Sequence, residues 1–210
     1  MTTRLIESNA DVEEGCDWLA ALDPRFAEAR TLAGPLPLRR SPAGFATLLK
    51  AICSQQLSVA SAAAVWRRLE AAGAACPKTI HSLDDETLRG CGLSRPKLRY
   101  ARALAEADLD YSALATMPEE DAIATLTAVK GIGAWTAEIY LMFAIGRADV
   151  FAPGDLALQE AARILFNLET RPTEKALRQQ AEGWSPWRAV AARLLWAYYR
   201  QAKSREGVAL

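Results

Sequence analysis

The sequence predicts an all-α protein, and three observations predict it. Alanine, leucine, glutamate and arginine, the strong helix formers, dominate from end to end. No stretch sustains the strand-like alternation of β-branched residues. Glycine and proline recur at Asp23-Pro24, Gly34-Pro35-Leu36-Pro37, Gly73, Gly90-Cys91-Gly92, Gly131-Ile132-Gly133 and Ala152-Pro153-Gly154, dividing the chain into roughly ten helices with short connections.

The start signals agree with these breaks. Ser94, ahead of Arg95-Pro96-Lys97, predicts a helix running to Ala107. Thr116, with Glu119 three residues on, reads as a capping box for a helix to about Ala128. Ser185-Pro186 opens the last long helix, Trp187 to about Lys203. The proline-rich stretch 31–42 is the least regular.

With 51% hydrophobic and 24% charged residues, the composition is that of an ordinary globular protein. No run of about 18 apolar residues is present, so no membrane-spanning helix is expected. The first residues, Met1-Thr-Thr-Arg-Leu-Ile-Glu-Ser8, lack an apolar signal core, which predicts a cytoplasmic protein. Cys16, Cys53, Cys76 and Cys91 form no C-x-x-C pair. They predict small buried thiols, with no zinc or iron–sulfur site. A lone histidine, His81, cannot build a metal site unaided. The formal net charge is zero, but from Arg163 onward nine Lys/Arg face four Asp/Glu. That excess reads equally as a solvated helix face or as a surface for phosphates.

The most informative segment is Leu126-Thr-Ala-Val-Lys-Gly-Ile-Gly-Ala-Trp-Thr-Ala-Glu138. One helix stops at Gly131 and another starts after Gly133. Both glycines can take positive φ, and the amides opening the second helix, from Ala134 to about Ile145, point outward as a phosphate site. Ile132 anchors the turn in the core. Taken alone, G-x-G is also a simple way to join two helices. Downstream, Val150-Phe151 leads into Pro153-Gly154, and Asp155 opens the next helix, twenty-two residues after Gly133. An aspartate there commonly serves only as an N-cap.

These motifs together, Lys130-Gly-Ile-Gly-Ala-Trp-Thr-Ala137 followed by Pro153-Gly154-Asp155, resemble the signature of the helix-hairpin-helix DNA glycosylase superfamily. More narrowly they resemble the DNA-3-methyladenine glycosylase II family of alkylpurine glycosylases. The similarity runs from about Phe45 to Tyr199 and includes Ile52-Cys-Ser-Gln-Gln-Leu-Ser58, Gly92-Leu-Ser-Arg-Pro-Lys97 and Trp184-Ser-Pro-Trp-Arg188.

The resemblance implies a two-lobed helical fold, with residues 45–146 as a central lobe carrying the hairpin and 1–44 plus 147–210 as the second. Hairpin and aspartate would border the cleft between them. About forty residues precede the shared part, so a compact form without an N-terminal β region is expected. Asp155 is implied as the catalytic carboxylate. Gly131, Gly133 and Thr136 are implied as the grip on the DNA backbone, with room for a monovalent cation on the hairpin carbonyls and no other cofactor. The implied partner is damaged double-stranded DNA, bound by a monomer.

Breaking an N-glycosidic bond develops positive charge on the sugar, which a nearby carboxylate stabilises while orienting or deprotonating the attacking water. In strand-cutting relatives a lysine stands two residues after the second hairpin glycine; here that residue is Trp135, so no amine is available for a Schiff base. Hydrolysis without lyase activity follows.

Trp196 matches a pocket tryptophan of the family, and an aromatic face attracts cationic alkylated purines. Trp135 is a second candidate for the base pocket. Core packing is the alternative for both. A family tyrosine on the hairpin helix is Ile139 here, which alters the pocket. Gln56 is implied as the residue filling the gap left by the flipped base, with Leu57 as an apolar wedge and a polar helix cap as the plain alternative. Ser94 and Lys97 could hold a phosphate or simply cap a helix.

Two rivals stay open: a helix-hairpin-helix protein that binds DNA without chemistry, and an enzyme of this fold acting on another lesion. A small transcription regulator is more remote, since no recognition helix rich in Arg, Asn and Gln stands out.

Overall fold

The computed structural model describes residues 4–205, so Met1–Thr3 and the last five residues of the basic C-terminal stretch lie outside the described residues. Among the described residues the protein is all-α, with twelve α-helices, one 3-10 turn, one π-helical turn and no strand beyond an isolated bridge between Leu5 and Arg147. None of the described helices is long and apolar enough to cross a membrane. The chain forms two compact units, residues 1–40 with 141–210, and residues 41–140. The boundaries therefore fall at 40/41 and 140/141 rather than at 44/45 and 146/147.

The unit built from both ends of the chain holds α1 (Asn9–Leu22), α2 (Pro24–Ala33), the π turn Leu141–Ile145, α10 (Leu156–Leu165), α11 (Glu174–Glu182) and α12 (Arg188–Arg205). Ser8 and Asp11 close a capping box over α1, and Asp23 caps α2 ahead of Pro24. The unit is centred on an aromatic cluster. Trp184 stacks on Phe166 at 5.8 Å and meets Phe26 and Phe151 edge-on at 5.5 and 5.4 Å. α1 crosses α12 closely at Gly15, where a Cβ would come within 2.6 Å of Val190. Ser185, expected to open the last helix, instead donates its hydroxyl to Asp149, which also pairs with Arg188.

The second unit holds α3 (Phe45–Ser54), α4 (Val59–Ala71), α5 (Pro77–Ser82), α6 (Asp85–Gly90), α7 (Arg95–Glu106), the 3-10 turn Ala113–Ala115, α8 (Glu119–Thr127) and α9 (Ala134–Tyr140). Leu48, Leu49, Ile52, Leu69, Ile80, Leu88, Leu104, Leu114 and Leu126 are fully buried, and periodic burial of such residues drives helix packing. Thr116 is not the cap of α8. Its hydroxyl bonds the Ala113 carbonyl, and Pro118 occupies the N-cap position without a side-chain bond. Pro118 disfavours helical geometry at Met117, so the helix begins beyond it.

Three of the four cysteines are buried, and Cys76 is exposed, contrary to expectation. Burial pushes the thiols of Cys16 and Cys53 up to about 11 and about 12, which leaves both protonated and unreactive at neutral pH. Part of the basic excess from Arg163 onward is engaged within the protein. Arg163, Arg178 and Arg188 pair with Glu160, Glu174 and Asp149, and Arg193 is buried.

Candidate active site

Asp155 is the N-cap of α10. The chain turns sharply into it, its amide bonding back to the Ala152 carbonyl at 3.0 Å. The loop is pinned by buried Gln159, whose amide group donates to the Pro153 carbonyl at 2.8 Å. Oδ1 of Asp155 accepts three N–H groups: the backbone amides of Ala157 and Leu158 at 2.9 and 3.0 Å, and the indole Nε1–H of Trp196 at 3.1 Å. The first two are ordinary capping bonds. The third comes from α12, forty-one residues away in sequence, and a plain cap does not require it. Three donors converging on one oxygen fix both the side-chain rotamer and the plane of the carboxylate. Asp155 is half-buried, and the adjacent Leu156 is 61% exposed.

Trp196 is itself half-buried, with its ring against Phe143 at 5.8 Å and an interplanar angle of 32°. Phe143 sits in the π turn Leu141–Ile145 that follows α9. One extra residue in such a turn rotates all that follows, a distortion common at functional sites. Phe143 and Gln159 were not anticipated from sequence. Phe143 reads as one more apolar residue in the hairpin helix, since the expected α-helix to Ile145 carried no mark of the change in period.

The hairpin belongs to the other unit. α8 ends at Thr127, four residues before Gly131. Gly131 alone has positive φ, 99°, whereas Gly133 does not, so only one of the two glycines meets that expectation. A Cβ at Gly131 would lie 2.3 Å from the Tyr100 ring, so close packing adds a second requirement for glycine there. At Gly133 a Cβ would meet nothing within 4 Å, which leaves the start of α9 approachable. Ile132 and Thr136 are buried, and Trp135 is 48% exposed.

Gln55, rather than its neighbour, holds the hairpin. Its Nε2 donates to the Gly131 carbonyl at 3.0 Å. The Val129 carbonyl likewise accepts the Ile132 amide at 3.0 Å. Carbonyl oxygens carry two lone pairs, so these bonds remain compatible with a monovalent cation on the turn.

Gln56 is exposed with φ of 56°, an unusual conformation for a non-glycine residue, and it forms the apex between α3 and α4. Leu57, 40% exposed, lies beside Val59, Ala62, Ala63 and Trp66 along an apolar groove of about 400 Å³. Ser94 caps α7 by accepting the Lys97 amide at 3.5 Å. The Lys97 ammonium turns inward to the Cys53 carbonyl at 2.7 Å, and partial burial lowers its pKa. Both residues thus have a structural role that needs no phosphate. The structure therefore brings Asp155 and Trp196 together in one unit. Trp135, Gly131, Gly133, Thr136, Gln56, Leu57, Ser94 and Lys97 lie in the other. Among the described residues, no group of three or more His, Cys, Asp or Glu side chains could hold a metal ion.

Residues 49–186 match the family described as HhH-GPD superfamily base excision DNA repair protein. The chain is 31% identical over 190 residues to DNA-3-methyladenine glycosylase 1 of Schizosaccharomyces pombe, spanning 85% of this chain and 83% of the relative. Among solved structures it resembles a DNA-3-methyladenine glycosidase from Bacillus halodurans, with a TM-score of 0.81 and 33% identity over 95% of this chain and 93% of that one. It also resembles the S. pombe 3-methyladenine DNA glycosylase in complex with abasic DNA, with a TM-score of 0.74 and 30% identity over 87% and 95% of the two chains. The capped aspartate, the Gly131–Gly133 hairpin and the match over most of the sequence have one reading: the chain belongs to the HhH-GPD superfamily of base excision DNA repair proteins.

Proposed function

We propose that the protein is a monofunctional DNA glycosylase that hydrolyses the N-glycosidic bond of alkylated purines, of the 3-methyladenine and 7-methylguanine type, flipped out of duplex DNA. The observation that carries this reading is the carboxylate of Asp155 held by three N–H donors, one of them the indole of a half-buried tryptophan. A protein that only binds DNA needs neither a fixed acid nor an aromatic wall beside it.

In this reading the hairpin around Gly131 and Gly133 meets the DNA backbone, and Gln56 with Leu57 occupies the gap in the stack. The extruded base lies against Trp196. As the bond from sugar to base stretches, the electron pair leaves with the base and the sugar gains positive charge. Asp155, fixed in advance, opposes that charge without reorganising and orients the water that adds to the sugar carbon. A purine alkylated at N3 or N7 already bears positive charge and departs as a neutral base, so no general acid is required. The cation is also the species that aromatic faces favour. The names of the relatives, DNA-3-methyladenine glycosylases, support this substrate class. Support for an abasic product comes from the DNA bound in the S. pombe structure.

Trp135 stands where a Schiff-base lysine would be needed, so the strand should stay intact. Incubation with a lesion-bearing duplex is expected to give alkali-labile abasic DNA, and a parallel incubation with borohydride is expected to give no covalent adduct. A trapped protein–DNA adduct would overturn the monofunctional assignment.

A further inference from the structure

Arg193 is a charged side chain that neither the fold nor the proposed chemistry accounts for. It is 3% exposed, and among the described residues no carboxylate pairs with it. Its Nε is the one buried side-chain nitrogen or oxygen found without a hydrogen-bond partner among the described residues. Burial, and the neighbouring charges of Arg40 and Arg39, bring its pKa down to about 10. A lone buried cation is a poor source of stability, and an apolar side chain of similar volume commonly serves as well or better.

The two other ends of the guanidinium point to a purpose. In the π turn, the amides of Gly146 and Arg147 both bond the Leu141 carbonyl at 2.9 Å, so neither returns to Met142. Arg193 fills that place, with Nη2 donating to the Met142 carbonyl at 3.2 Å while Nη1 holds Ala189 of its own helix at 2.8 Å. The same guanidinium lies 4.6 Å from the centre of the Phe143 ring. Phe143 in turn packs on Trp196, and Trp196 donates to Asp155. Arg193 and Trp196 are three residues apart on α12 and so share a face of it.

We infer that Arg193 is a positioning residue. By holding the Met142 carbonyl and covering Phe143, it fixes the ring against which Trp196 rests, and so sets the indole N–H that orients the Asp155 carboxylate. Buried charge is retained here for the geometry of the acid. The inference rests on Asp155 being the catalytic carboxylate, as proposed above.

Arg193→Met keeps the length and volume of the side chain and removes its donors and charge. The variant is expected to fold and to melt within about 5 °C of the parent. In a 15N-labelled sample the Trp196 indole resonance, assigned by its loss in Trp196→Phe, should move toward the position of an unbonded indole. Single-turnover release of 7-methylguanine should fall about 10- to 100-fold, because small displacements of a catalytic group are costly. Affinity for a duplex containing an abasic analogue should stay within about twofold, since that duplex has no reacting bond. Arg193→Lys, which restores a cation over Phe143, should recover part of the rate. If Arg193→Met fails to fold, Phe143→Leu cuts the same chain of contacts and is read the same way.

An unmoved indole resonance, whether or not the rate falls, would overturn the inference. A displaced resonance with an unchanged rate would support Arg193 as the residue that sets the indole and would instead count against Asp155 as the catalytic carboxylate.

Discussion

Asp155→Asn should bind abasic duplex DNA as the parent does, yet release alkylated bases slower by a factor on the order of 10²–10³ or more. Asparagine is as good an N-cap as aspartate. Its amide oxygen can accept the same three donors from Ala157, Leu158 and Trp196. Fold and side-chain position are therefore retained, and what is lost is the negative charge opposite the developing positive sugar. Alanine is a less informative substitution, because it also removes a cap contributing about 1 kcal/mol. Single-turnover excision measured beside equilibrium binding of an abasic analogue checks the prediction. Turnover near that of the parent in a folded Asp155→Asn protein would remove Asp155 from the mechanism.

Trp196 combines two roles that can be separated. Its face is the proposed wall of the base pocket, and its N–H holds the proposed catalytic carboxylate, Asp155. Trp196→Phe keeps an aromatic face and loses the donor. A hydrogen bond to a charged group contributes about 1.5–3 kcal/mol, so excision of every lesion should slow by about tenfold or more. Trp196→Ala removes the face as well, and should slow excision of cationic 7-methylguanine further than that of uncharged hypoxanthine. Affinity for an abasic duplex should change little in either variant. Measuring both bases with both variants gives the comparison. Equal losses for the two bases in Trp196→Ala would show that the ring does not select for charge.

The contrast between what was legible in the sequence and what was not has physical causes. Helix starts at Ser94 and Asp155 were readable because capping is local: a short polar side chain reaches amides two or three residues on. The same reasoning failed at Thr116, where Pro118 shifts the start of the helix. The hairpin was readable as a motif, but the sign of φ at Gly133 was not. A glycine permits positive φ without requiring it, and only at Gly131 does the Tyr100 ring also exclude a side chain.

Of the candidate site, the sequence marked Asp155 and Trp196 separately and could not show that one donates to the other. The contact joins α10 to α12 and depends on how those helices pack. Gln55 and Gln56 are indistinguishable by type. The backbone at the end of α3 turns Gln55 inward to the Gly131 carbonyl and leaves Gln56 exposed. The π turn was hidden for the same reason, since the group that completes it, Arg193, lies about fifty residues further along the chain.

The central claim is that a capped, indole-bound aspartate makes this protein an alkylpurine glycosylase. The most direct test is release of free base by the parent protein from duplex DNA methylated at its purines, with the products separated by identity. The account predicts 3-methyladenine and 7-methylguanine as the main products, each leaving an intact abasic strand. Tight binding to the methylated duplex with no base released, or preferential release of an uncharged base, would contradict it.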